Sequence, residues 1–175
     1  MIVMINGAFG IGKTTVANSL ASKLENSLIF DPEEVGTLVR SITGIVRTGI
    51  EDTGDYQDIE MWRTLTVHVA GELYKKYGRH LIIPMTISNL SYFKEIKEGF
   101  GRIDSDLHHF CLMGCACTIH NRLEKRGDIT GSWPFQQTAK CLQAFQSSEF
   151  AIHIDAENNA PTEIAEIIQT YLGTI

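Results

Sequence analysis

Residues 2–15, Ile-Val-Met-Ile-Asn-Gly-Ala-Phe-Gly-Ile-Gly-Lys-Thr-Thr, constrain this chain more than any other stretch. An apolar run from Ile2 to Ile5 ends at Gly7, and Gly12, Lys13 and Thr14 complete a Gly-x-x-x-x-Gly-Lys-Thr pattern. That spacing is the phosphate-binding P-loop. Glycines let the backbone adopt positive φ and turn its N–H groups inward toward phosphate oxygens. A helix opening near Lys13 adds its positive dipole end at the same place. The loop residues Gly7, Ala8, Phe9, Gly10, Ile11, Gly12, Lys13, Thr14 and Thr15 are therefore the expected nucleotide cradle. Lys13 is placed to reach the β- and γ-phosphates, and the Thr14 hydroxyl to ligate Mg²⁺.

The rest of the chain alternates strand and helix. Strands are expected at Ile2–Asn6, Ser27–Phe30, His80–Met85, Leu107–Met113 and Ala151–Ile154. Helices are expected over Lys13–Leu24, from Pro32 to about Ile42, Asp58–Tyr77, Ser91–Gly99, Ala116–Arg126, Pro134–Phe145 and Thr162–Leu172. Residues 43–57 show no clear period and read as a mobile loop; Gly127–Trp133 reads as a polar one. Strand followed by helix, five times over, predicts an α/β doubly wound, mainly parallel sheet. Ligands of such sheets bind at the carboxyl ends of the strands, so candidate residues should lie just after each strand.

At 175 residues the chain makes one domain, residues 1–175. Its net charge of −6 argues against a nucleic-acid partner. No apolar run approaches the ~20 residues of a membrane span, and no basic region precedes the first apolar stretch. A cytoplasmic protein follows, a monomer or homodimer. Peripheral membrane contact stays open, although Glu163 and Glu166 make the last helix a poor match for anionic lipid. The four cysteines, Cys111, Cys115, Cys117 and Cys141, are expected to be reduced and small buried residues. Zinc is the weaker alternative, because Cys-x3-Cys-x-Cys is not the usual ligand spacing.

Asp31 follows the second strand. Asp-Pro-Glu-Glu is a strong helix start, with Asp31 as N-cap and Pro32 at the first position. An N-cap there also faces the phosphates, where Asp31 can accept a substrate proton or hold a Mg²⁺ water. The third strand ends Pro84-Met85-Thr86 without the carboxylate that P-loop enzymes usually keep for the metal shell, which adds weight to Asp31. Thr86 is a candidate for the metal shell or for orienting the acceptor. Arg122 and Arg126 share one helix face beside a loop and can close on a triphosphate. Arg126, at the loop edge, is the one better placed to move. Arg40, Trp62 and Arg63 are candidates for the acceptor side, each with an ordinary surface or core role as the alternative.

Several segments together resemble the tunicamycin-resistance ATP-binding proteins of bacteria. They are Ile-Asn-Gly-Ala-Phe-Gly-x-Gly-Lys-Thr at 5–14, Phe-Asp-Pro-Glu-x-x-Gly at 30–36, Trp62-Arg63, Ile-x-Pro-Met-Thr-Ile at 82–87 and His-His-Phe-x-Leu-Met at 108–113. Arg122-Leu-x-x-Arg126 and Ser132-Trp133 fit as well. The resemblance implies an adenylate-kinase-like P-loop fold with sheet order 2-3-1-4-5, helices on both faces and a lid after strand four, about residues 122–134. It implies ATP and Mg²⁺ as cofactors. Asp31 then takes the place of a base or metal-shell acid, and Arg122 and Arg126 that of lid arginines. The chain departs from shikimate kinases: its second acid after strand two is Glu33, and strand three lacks a Gly-Gly ending. The expected activity is phosphoryl transfer from ATP to a hydroxyl of a small molecule, possible acceptors including a nucleoside antibiotic such as tunicamycin. The alternatives are a nucleotide-gated protein that sequesters a toxic ligand with little turnover, and a nucleoside or nucleotide kinase.

Overall fold

The computed structural model describes residues 1–173. Its strands are β1 (Ile2–Gly7), β2 (Ser27–Ile29), β3 (His80–Met85), β4 (Leu107–Met113) and β5 (His153–Asp155). Its helices are α1 (Lys13–Lys23), α2 (Pro32–Thr43), α3 (Glu60–Tyr77), α4 (Leu90–Ile103), α5 (Ala116–Arg126), α6 (Trp133–Ala144) and α7 (Pro161–Leu172). The five strands form one sheet in the order β2-β3-β1-β4-β5, every pairing parallel. The fold class and strand order expected from the sequence and its resemblance are therefore borne out.

β1 lies at the centre because it is apolar on both faces. Ile2, Val3, Met4 and Ile5 are all fully buried, as are Leu81, Ile82 and Ile83 of β3 and Phe110 and Cys111 of β4. Such two-sided burial needs helices on both faces of a parallel sheet. α1 packs on α7, while α3 packs on α2 and α4. Local chemistry sets the helix ends. Asp31 caps α2, Pro32 occupies its first turn, and Gly78 ends α3 in the left-handed conformation at φ 61°.

Some boundaries differ from the sequence expectation. α4 runs to Ile103 and begins one residue before Ser91, because the Asn89 side chain accepts from the N–H groups of Ser91 and Tyr92. The segment between α2 and α3 holds two 3-10 turns, Gly49–Glu51 and Tyr56–Asp58. Cys111 and Cys141 are free and buried as expected, but Cys115 and Cys117 are joined by a disulfide at the start of α5. The expectation that all four are reduced and buried is corrected for that pair.

One buried polar residue fixes the P-loop strand to its neighbour. Asn6 is fully buried. Its Nδ2 donates to the Ile87 carbonyl at 3.0 Å, and its Oδ1 accepts from the N–H groups of Ile87 at 3.0 Å and Gly7 at 2.8 Å. Asn6→Ala leaves three buried backbone groups without this partner, and should cost about 3 kcal/mol. Urea unfolding should show a lower midpoint at unchanged slope; an unshifted midpoint would contradict this account of Asn6.

Candidate active site

The P-loop turns between β1 and α1 over the carboxyl edge of the sheet. Gly7 has φ 153°, and a Cβ there would lie 2.8 Å from Ile11 Cγ2 and 3.1 Å from the Leu112 carbonyl oxygen. Only glycine fits. Gly12, at φ 109°, is the N-cap of α1 and makes no side-chain cap, so the first N–H groups of the helix stay open to a ligand. Thr14 and Thr15 follow, both exposed. These residues line a cleft of about 580 Å³ that also includes Phe9, Asp31, Glu33, Pro84, Arg122 and Arg126. Its far wall is Ala156, Asn159, Pro161 and Ile164, from β5's trailing loop and α7.

Lys13 is buried, and its Nζ donates to the Ala8 carbonyl at 2.9 Å. The ammonium lies 5.4 Å from the Phe9 ring centre. Burial pulls its pKa down to about 8, and Glu33 is the foremost opposing influence. The Glu33 side chain is exposed overall, yet partial burial of its carboxyl raises its pKa. Asp31 adds to the rise, while Lys13 and Arg126 oppose it. Asp31 Oδ1 accepts from the Glu33 N–H at 2.9 Å, so the cap is formed and its carboxylate also borders the cleft.

The two α5 arginines behave differently. The Arg122 guanidinium donates to the Ile11 carbonyl at 2.7 Å and to the Ala156 carbonyl at 2.9 Å. It clamps the P-loop to the loop after β5 and lines the cleft. Arg126 is exposed and pairs with Asp128 at 2.6 Å. Gly127 ends α5 beside it, so this arginine is the one at the edge of the α5–α6 turn.

The acceptor-side candidates are not brought into this cleft. Trp62 is buried, donates from Nε1 to the Pro32 carbonyl at 2.9 Å and packs on Tyr56. Arg63 is engaged by Glu95 at 2.7 Å and the Gln57 carbonyl at 2.7 Å, and stacks over Tyr92. Thr86 is buried, its hydroxyl makes no hydrogen bond, and its carbonyl accepts from Gln57. Arg40 lies on the outer side of α2 in a separate shallow hollow with Thr37, Ser41 and Arg47.

No family model and no curated protein matches the chain. Solved structures do. The chain is similar to the Deinococcus radiodurans tunicamycin resistance protein, with TM-score 0.80 and 25% identity over 99% of this chain and 96% of that one. It is also similar to a sugar kinase from Janibacter sp. HTCC2649, with TM-score 0.71 and 21% identity over 99% of this chain and 94% of that one. A shikimate kinase from Acinetobacter baumannii, in complex with shikimate, matches at TM-score 0.64 and 16% identity, over 98% of this chain and 93% of that one. The fold is that of the P-loop small-molecule kinases. The resemblance to tunicamycin-resistance proteins drawn from the motifs is borne out.

Within this kinase-like fold, the wall at Ala156, Asn159, Pro161 and Ile164 escaped the sequence reading, and Glu33 entered it as the second acid after strand two without a catalytic role. An acid in the first turn of α2 also complements the helix dipole, so Glu33 has an adequate local reason in the Asp-Pro-Glu-Glu run. The rule that ligands gather after each strand pointed to the loop after β5, but its Asp-Ala-Glu-Asn-Asn-Ala-Pro run carries no phosphate motif. No helix among the described residues is long and apolar enough to cross a membrane.

Lys13 gives the cleft a pH signature. In the nucleotide-free chain its charge is lost as pH rises through about 8. Nucleotide phosphates favour the charged form. A triphosphate probe should therefore bind more tightly below pH 7 and progressively more weakly above pH 8. Fluorescence titration from pH 6 to 9.5 checks this; an affinity flat across that range would mean Lys13 keeps its proton.

Proposed function

We propose that this chain is an ATP- and Mg²⁺-dependent phosphotransferase that moves the γ-phosphoryl group to a hydroxyl of a small molecule. The observation that carries the proposal is the buried Lys13 ammonium, donating to the Ala8 carbonyl beside an uncapped helix N-terminus, in a cleft that two carboxylates also line. Open N–H groups and a desolvated cation fit a triphosphate. The exposed Thr14 hydroxyl and Asp31 would hold Mg²⁺, directly or through water. When bound, the metal neutralises charge on the β- and γ-oxygens.

The chain's own groups then divide the work. The P-loop amides and Lys13 position the phosphates, and the Arg122 plane with Pro161 and Ile164 offers a slot for the base. Arg126 is placed to leave Asp128 and stabilise charge on the transferring group. Glu33, which lines the cleft and whose pKa is raised, is assigned as the proton acceptor, and Asp31 as the metal-shell group and helix cap. The acceptor oxygen forms the new bond to γ-phosphorus as the bond to the β,γ-bridging oxygen breaks. The hydroxyl proton passes to Glu33.

The likeness to a tunicamycin resistance protein supports a nucleoside antibiotic of that kind as the first acceptor to try. A sequestering protein with slow or no turnover is the second reading, favoured by the absence of a carboxylate at Pro84-Met85-Thr86. Mass spectrometry separates them. Reactions with ATP·Mg²⁺ should contain tunicamycin or a panel of nucleosides, sugars and aminoglycosides, with Lys13→Ala as control. A product heavier by one phosphoryl group, absent from the control, establishes transfer. ATP and tunicamycin bound without any product would move the assignment to sequestration.

A further inference from the structure

We propose that Cys115, Cys117 and Glu157 form a binding site for a soft divalent cation of the zinc class when the two thiols are reduced, the disulfide being the closed form of the same site. This inference is independent of the kinase reading. Three donor atoms, the two sulfurs and a Glu157 carboxylate oxygen, lie within 4.8 Å of one another. The two cysteines are neighbours at the start of α5, and the fold brings Glu157 to them from the loop after β5. None of the three lines the nucleotide cleft.

The carboxylate is held in place before any ligand arrives. Glu157 Oε2 accepts from the Cys115 N–H at 2.9 Å, and Oε1 accepts from the Thr118 hydroxyl at 3.1 Å. The Glu157 N–H is itself fixed by Asp155 Oδ1 at 2.8 Å. Cys115 is the N-cap of α5, where its sulfur accepts from the Thr118 N–H. Helix N-termini favour the thiolate, which is the form that binds metal. Cys115 is half-buried while Cys117 and Glu157 are exposed, so a cation has a direct path. Two sulfurs and one carboxylate suit zinc-like ions, with water as the fourth donor.

The chemistry balances. A dithiol reductant delivers two electrons and two protons to the Cys115–Cys117 bond and is itself oxidised to its disulfide. One divalent cation then displaces the two thiol protons, forming two metal–sulfur bonds, and Glu157 supplies the third donor. The site lies behind the P-loop. Gly114, next to Cys115, packs so tightly on Ile11 that a Cβ would meet its Cδ1 at 2.9 Å. Ala156, next to Glu157, anchors Arg122.

Cadmium ion is the probe, because its thiolate complexes absorb in the ultraviolet. The full chain would be reduced with dithiothreitol, freed of it by gel filtration under nitrogen and titrated with Cd²⁺. The expected result is one equivalent bound, with a charge-transfer band that zinc displaces. The band should be absent from the unreduced protein and lost in Cys117→Ser. Glu157→Gln should weaken binding ~10-fold or more. Substituting the buried Cys111 and Cys141 by Ala should leave the band intact. No band from reduced protein overturns the proposal. So does a band that survives Cys117→Ser, or an affinity indifferent to Glu157→Gln in a variant with unchanged circular dichroism.

Discussion

Lys13→Ala is expected to lower ATP turnover by ~10²–10³-fold, the usual loss when one preorganised donor to developing charge is removed. The size follows from where the ammonium sits. It is buried, its hydrogen-bond partner is the Ala8 carbonyl, and no carboxylate among the described residues forms an ion pair with it. Bound phosphates therefore meet a cation already stripped of most of its water, and such a charge acts far more strongly than one in bulk solvent. Ala is a strong helix former, so the first turn of α1 should survive. Steady-state turnover, with circular dichroism as the check on folding, tests this. A variant that keeps turnover within threefold of the parent would show that Lys13 does not contact the transferring phosphates.

The second large effect separates two neighbouring acids. Glu33→Gln should cut phosphoryl transfer by ~10²–10⁴-fold, the range for loss of a general base, while the KM for ATP changes little. The pH profile adds a signature. Burial and Asp31 hold the Glu33 pKa above its ordinary value, so transfer in the parent should rise as pH climbs through that raised pKa. The variant should lose this acid limb. Asp31→Asn is the informative partner, because Asn caps a helix as well as Asp does, and α2 should keep its start. A loss there with a raised Mg²⁺ requirement would assign Asp31 to the metal shell. If Glu33→Gln transferred phosphoryl groups normally and Asp31→Asn did not, the base would be Asp31.

The P-loop and the sheet were legible because each rests on local signals that tertiary context only reinforces. Gly7, Gly12, Lys13 and Thr14 fix the loop by spacing, and apolar runs such as Leu81-Ile82-Ile83 mark strands buried on both faces. The start of α4 was misplaced because Ser91 and Asn89 are both good caps, and only the backbone shows which one turns. The acceptor side was harder. Trp62, Arg63 and Thr86 have the right residue types, but their partners, Pro32, Glu95 and Gln57, lie on other elements. Glu33 was obscured by an adequate local explanation, since an acid in a first helical turn needs no other reason. The Cys115–Cys117 pairing likewise depends on how the chain leaves β4, which no spacing rule encodes.

The buried lysine has one more consequence, and it appears as heat. A chain that holds Lys13 partly neutral near pH 8 must take a proton from the buffer when phosphates arrive. The enthalpy measured by calorimetry will then vary with the buffer's own ionisation heat, and the slope will count the protons captured. At pH 6, where Lys13 is already charged, its share of the slope should vanish. That makes a single side chain's protonation readable from the solution around it, before any product is formed.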